Sequence, residues 1–142
     1  MEEKYLVDAN IFIALNWKQD PQHQKAGQLL SNYFTGNSIF FINNYIVSEI
    51  LTVLLLRLKN PTKTANLGLA LYGSFPNLKV TQITKSLQLK SLKIFSRQHK
   101  HHLSFPDCTL LAQAQHLKIK NILTFDKNLQ KVAKKLKINS LS

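Results

Sequence analysis

The chain holds seven acidic residues, and four of them sit where carboxylates could do chemistry: Asp8, Glu49, Asp107 and Asp126. Asp8 directly follows the strand-like run 4–7 (KYLV), and Asp126 follows the run 121–124 (NILT) with one residue between. Asp107 falls in the first turn of a predicted helix that opens with Ser104-Phe-Pro. Glu49 lies inside a strongly apolar helix, with Tyr45, Ile46 and Val53 at i−4, i−3 and i+4. Residues at those spacings share a face, so its carboxylate emerges beside the core-facing stripe. A half-buried glutamate is rare unless paired or metal-bound, and no Arg or Lys lies within one turn of it.

Each acid also has a purely structural reading. Asp8 and Asp126 fit strand-end turn residues that bond their own backbone. Ser104 and Asp107 fit an S-x-x-D variant of the capping box, and Glu49 can point to solvent from the edge of its stripe. Taken together the four read differently, because close carboxylates repel by ~4 kcal/mol per pair at an effective dielectric near ~20. A divalent cation relieves that repulsion, and an all-oxygen site favours Mg²⁺ or Mn²⁺ over zinc.

The elements that must position these groups alternate between strand and helix. Strands are predicted at 4–7, 39–42, 78–83, 121–124 and 138–141. Helices are predicted at 11–17, 21–34, 45–59, 61–73, 84–101, 104–117 and 127–136, with Asn43 and Asn44 as caps before the third. The helix from Ser104 carries Leu110, Leu111, Ala114 and Leu117 at i, i+1, i+4 and i+7. Alternation of this kind implies an α/β protein with a mostly parallel sheet and helices on both faces. Ligands of such sheets bind beyond the carboxyl ends of the strands, where Asp8 and Asp126 fall.

The 142 residues (16.3 kDa) fit a single domain, 1–142, without linker or repeat. Lys and Arg number 19, giving a net charge of +12, yet only 18% of residues are charged, below the usual ~25%. The skew therefore comes from scarce acids. Hydrophobic residues at 44% exclude a disordered basic tail. One cysteine, Cys108, excludes a disulfide framework and reads as a buried core residue. No apolar stretch reaches the ~18 residues of a membrane span, and Asp8 interrupts the first apolar run, so a cytoplasmic protein is expected. Trp17 and the helix from Tyr45 read as core packing. His99, His101 and His102 are poorly spaced for a metal and fit a basic loop.

The order Asp8-Ala-Asn10, Val47-Ser-Glu49, Ser104-Phe-Pro-Asp107-Cys-Thr-Leu-Leu-Ala112 and Leu123-Thr-Phe-Asp126 resembles the PIN domain, and more narrowly the VapC-type toxins of bacterial toxin–antitoxin pairs. The likeness runs from residue 4 to about 129 and departs from the common pattern at Pro106 and at Leu129, where an aromatic is frequent. It implies a three-layer α/β/α sandwich and an endoribonuclease. By the same resemblance Asp8, Glu49, Asp107 and Asp126 form an acidic catalytic site for one or two Mg²⁺ or Mn²⁺ ions. Asn10 and Thr124 match supporting polar positions, a small antitoxin silences the site, and the toxin forms a homodimer.

The expected reaction is metal-assisted hydrolysis of an RNA phosphodiester, with Asp8 plus Asp107 or Asp126 direct ligands and Glu49 acting through water. A non-catalytic RNA-binding domain, a PIN-type nuclease outside a toxin–antitoxin system and a DNA or flap nuclease are the alternatives. Basic charge points to a polyanionic partner. Lys127, Lys131 and Lys134 on the last helix, and Arg97 with Lys85, Lys90, Lys93 and Lys100 on the helix from Thr84, are candidate RNA contacts. Solvated helix faces are the plain alternative for any one of them.

Overall fold

In the computed structural model, which describes residues 1–98 and 101–142, strands and helices alternate as the sequence predicts. The order is β1 (Glu3–Val7), α1 (Ala9–Asn16), α2 (His23–Tyr33), β2 (Ser38–Asn43), α3 (Asn44–Leu58), α4 (Pro61–Gly73), β3 (Leu78–Thr81), α5 (Lys85–Arg97), α6 (Phe105–Leu117), β4 (Asn121–Leu123), α7 (Lys127–Lys135) and β5 (Asn139–Leu141). The strands form one sheet in the order β3-β2-β1-β4-β5, with every neighbouring pair parallel. Helices cover both faces, giving a three-layer α/β/α sandwich.

The chain winds outward from β1 through β2 to β3, then returns to the other side of β1 with β4 and β5. The direction of winding thus reverses at β1, whose two neighbours come from opposite halves of the sequence. Leu6 and Val7 pair with Ile122 and Leu123, so the residues after both strands emerge side by side. A reversal of this kind opens a crevice at the carboxyl edge of the sheet.

Local chemistry sets the element ends. In β2, Phe40, Phe41 and Ile42 are all buried, which is why the run is apolar without alternation. Between α3 and α4 the chain turns at Lys59, in the left-handed region at φ 52°; Asn60 then caps α4 and Pro61 opens it. Lys118, at φ 55°, ends α6 in the same way.

Two helices differ from their sequence reading. The apolar spacing of α6 predicts one buried stripe, but every residue from Asp107 to Ala114 is buried, so the helix is enclosed on all sides. The helix from Thr84 was expected to reach about His101, and α5 ends at Arg97. There the Gln98 side chain turns back: its Nε2 donates to Leu103 O (2.6 Å), and its Oε1 accepts from Leu103 N. His99 and Lys100, candidates in the sequence reading, lie outside the described residues.

Cys108 is buried, as expected for a core residue. Trp17 packs against the core with the Arg57 guanidinium 4.9 Å from its ring centroid. Among the described residues no helix is long and apolar enough to cross a membrane.

Candidate functional site

The carboxyl edge of β1 and β4 is stitched together by polar side chains. The Asp8 N–H donates to Leu123 O (2.9 Å), extending the β1–β4 pairing by one bond. Asp8 then caps α1, its Oδ1 accepting from Ala9 N (2.7 Å). Its Oδ2 accepts from Thr124 Oγ1 (2.7 Å) and Asn10 Nδ2 (3.2 Å). Asn10 returns the link, its Oδ1 accepting from Phe125 N (3.3 Å), while Thr124 Oγ1 accepts from Asp126 N (3.0 Å). Asn10 and Thr124 therefore hold the turn after β1 against the turn after β4, fixing Asp8 relative to Asp126.

The other acids arrive on helices. Asp126 caps α7, its Oδ1 accepting from Asn128 N (2.8 Å) and Leu129 N (3.2 Å). Asp107 completes the predicted capping box: Ser104 N donates to its Oδ2 (3.1 Å), and Asp107 N donates to Ser104 Oγ (3.3 Å). Glu49 sits on α3 with its Oε2 buried and, among the described residues, without a hydrogen-bond partner. The structural readings of Asp8, Asp126 and Asp107 thus hold. Glu49 has no such local duty.

Asp8, Glu49 and Asp107 each sense other carboxylates of the set. Burial, then the charge of Asp107 and further that of Glu49, raise Asp8 to about 7, against the lowering effect of its bonds from Thr124 and Ala9. Burial also raises Glu49, with Asp107 and Asp126 adding to it. Asp107 is raised by burial and Asp126 while its bonds to Ser104 lower it. No cation stands among these influences. The site is an uncompensated anionic pocket that holds protons more tightly than ordinary carboxylates do.

A second set of polar residues ties α3 to α6, and the sequence reading assigned it no role beyond a cap. Asn43 at the end of β2 accepts from Ile46 N through Oδ1 (3.0 Å), capping α3. Its Nδ2 donates to Gln113 Oε1 (2.9 Å) and Thr109 Oγ1 (3.2 Å) on α6. Gln113 Nε2 continues to Thr81 Oγ1 (2.7 Å) at the end of β3. This buried network joins the helix carrying Glu49 to the helix carrying Asp107. The available signal was polar side chains at Thr109 and Gln113, spaced i, i+4 in an otherwise apolar helix.

The predicted basic contacts run from Lys127, next to Asp126, outward along the helices. Lys127, Lys131 and Lys134 are exposed on α7, and Lys134 is eight residues beyond Asp126, about 12 Å along the helix axis. Arg97 is exposed at the end of α5 and lines a cleft between α5, α6 and α7. His102 is exposed, and His101 Nε2 lies 3.2 Å from Lys135 Nζ. Among the described residues no three His, Cys, Asp or Glu side chains close tightly enough to enclose a metal ion unaided.

The model of the PIN domain matches residues 5–135, the span that contains all four acids. The chain belongs to the PIN-domain family. Comparison with curated proteins returns no match. Among solved structures, this PIN domain is similar to VapC20 of Mycobacterium tuberculosis, described as a Sarcin-Ricin loop cleaving toxin. The TM-score is 0.80 at 23% identity over 90% of this chain and 94% of that one. It is also similar to FitAcB of Neisseria gonorrhoeae (TM-score 0.66, 17% identity, 97% of this chain and 96% of that one). VapBC2 of Rickettsia felis, solved with a DNA fragment from its promoter, gives a TM-score of 0.65 at 12% identity over 97% of each chain. At these identities the likeness is one of fold.

Proposed function

We propose that this PIN domain is a Mg²⁺- or Mn²⁺-dependent endoribonuclease and the toxin of a type II toxin–antitoxin pair. The observation that carries the reading is the meeting of four carboxylates at the carboxyl edge of the sheet, with Asp8, Glu49 and Asp107 raised and one oxygen, Glu49 Oε2, buried without a partner. PIN domains are nucleases, and the catalytic acids here are Asp8, Glu49, Asp107 and Asp126.

These residues fit a divalent cation that keeps much of its water. Mg²⁺ takes only one or two direct carboxylates, so it does not require the close group of three acidic, His or Cys ligands that is absent among the described residues. Asp8 with Asp107 or Asp126 would hold it directly, and Glu49 through water. When bound, such an ion supplies charge neutralisation and an activated water for attack on phosphorus.

The chain's own groups do the positioning. Thr124 and Asn10 fix the Asp8 carboxylate through Oδ2, leaving Oδ1, which accepts only from Ala9 N, a further lone pair. Glu49, half-buried and with a raised proton affinity, orients a water and accepts its proton. Lys127, Lys131, Lys134 and Arg97 contact phosphates of the RNA strand on either side of the scissile bond.

FitAB and VapBC assemblies among the structural neighbours support a small antitoxin as partner and a cytoplasmic setting. Leu89, Leu92 and Phe95, all exposed along α5, support a homodimer, since soluble monomers seldom expose contiguous apolar patches. The decisive experiment is cleavage of structured RNA by wild type and Asp8→Asn, with Mg²⁺ and with EDTA. The expected result is Mg²⁺-dependent cleavage by wild type and none by the folded variant. Cleavage by Asp8→Asn that EDTA leaves unchanged would sink the reading.

A further inference from the structure

The cleft of about 530 Å³ between α5, α6 and α7 has a composition that the acidic site does not explain. Its rim carries Lys90, Lys93 and Arg97 from α5 and Lys135 from α7, and among the described residues no acid lines it. Lys90, Lys93 and Arg97 are spaced i, i+3, i+7 and so share one face of α5. Lys135 is held by His101, 3.2 Å from its ammonium. The floor is apolar, made of Ile94, Val132 and Leu136.

On α7 the two basic sets are distinct. Val132, Lys135 and Leu136 face the cleft at i, i+3, i+4, whereas Lys127, Lys131 and Lys134 follow another stripe at i, i+4, i+7.

The cleft also lies at a defined remove from the acids. Asp107 stands in the first turn of α6 and Gln115, in the cleft wall, eight residues later; Asp126 caps α7 and Lys135 follows nine residues on. Both helices thus lead from the acidic pocket to the cleft over about 12–14 Å. That span is about four nucleotides of a stacked strand at ~3.4 Å each, and fewer when the strand is extended.

We propose that this cleft is a remote RNA subsite that takes an unpaired nucleotide of the strand whose scissile phosphate lies at the acids. Backbone phosphates contact Lys90, Lys93, Arg97 and Lys135, and the base lies against Ile94, Val132 and Leu136. A cationic rim over an apolar floor matches the two chemistries of single-stranded RNA, charged backbone and stacking base. The inference rests on the nuclease reading for the direction of the strand, but binding in the cleft needs no metal.

The test uses the double reversal Lys90→Glu/Lys93→Glu, both exposed side chains on α5 that line the cleft. Anisotropy of a labelled 12-nucleotide single-stranded RNA is measured in EDTA over a salt series, alongside Mg²⁺-dependent cleavage of a trinucleotide too short to reach the cleft. Circular dichroism checks that the variant is folded. The expected result is at least tenfold weaker binding of the 12-mer, a salt slope lower by about 1.4 from two lost phosphates at ~0.7 each, and unchanged trinucleotide cleavage.

Unchanged 12-mer binding in the variant overturns the subsite while leaving the nuclease reading intact. Absence of cleavage by wild type, with RNA binding still lost in the variant, overturns the nuclease reading and leaves the cleft an RNA site. A poly-glutamate peptide that binds wild type as tightly as the RNA, and is lost equally in the variant, reassigns the cleft to an acidic protein segment.

Discussion

The acidic pocket at the sheet edge and the basic flank formed by α5 and α7 carry opposite charge in physically different ways. In the pocket, short side chains are fixed by backbone-directed bonds: Asp8 and Asp126 cap helices, and Asp107 closes a capping box. On the flank, lysines project from exposed helix faces. Buried like charges raise one another's proton affinity and so oppose the folded state; exposed ones are screened within about 8–10 Å at physiological salt. Setting aside the four pocket acids leaves 19 basic residues against 3 acidic ones, a charge of +16 on the remainder. Chemistry at one end thus depends on precise placement, and affinity at the other on summed charge.

Substitutions separate the two regions, and the largest effect is expected in the pocket. Asp8→Asn removes the best-anchored carboxylate and should reduce cleavage by more than the ~10–100-fold that loss of an outer hydrogen-bond partner costs. Thr124→Val, which removes such a partner of Asp8, should fall in that 10–100-fold range, read as weaker Mg²⁺ affinity. Equal loss in the two variants would break the distinction between ligand and support.

The metal-free protein should show the cost of the pocket directly. Asp8 binds its proton more tightly in the folded chain, at about 7 rather than near 3.8, and Glu49 and Asp107 shift the same way. The folded state therefore holds more protons than the unfolded one between these values, and stability falls as pH rises through that window. Tm in EDTA is expected to drop by several degrees between pH 4.5 and 7.5. Mg²⁺ should restore it at pH 7.5 and have little effect at pH 4.5. A flat profile in EDTA would contradict the anionic pocket.

Asn43→Ala tests the link between α3 and α6. It removes a helix cap and the buried donor to Gln113 and Thr109, which together should cost about 2–4 kcal/mol in chemical denaturation. The smallest effect belongs to the flank: Lys131→Glu should leave Tm nearly unchanged, shift stability by less than ~0.5 kcal/mol and lower the salt slope of RNA binding by about 0.7.

How much of this was legible in the sequence follows the same division. Asp8, Asp107 and Asp126 could be placed because a strand end and a capping box are local patterns, and Glu49 stood out as an acid in an apolar helix. The Asn43–Gln113 link could not be read, because it joins residues 70 positions apart and each looks ordinary in its own segment. Enclosure of α6 was hidden for a related reason. Its apolar spacing marks one face, and only the packed helices around it bury Thr109 and Gln113 on the others. For the cleft, periodicity gives the two helix faces, but their meeting across α6 is a tertiary fact.

The unpartnered oxygen of Glu49 has a practical consequence. Asp8, Asp107 and Asp126 are also fasteners, so replacing any of them with Ala loosens a helix start while it silences chemistry. Glu49 fastens nothing, and Glu49→Gln changes charge without taking a bond from the scaffold. On the function proposed above, it is the cleanest way to silence the site while preserving the shape of the chain, and hence the version suited to trapping a bound substrate.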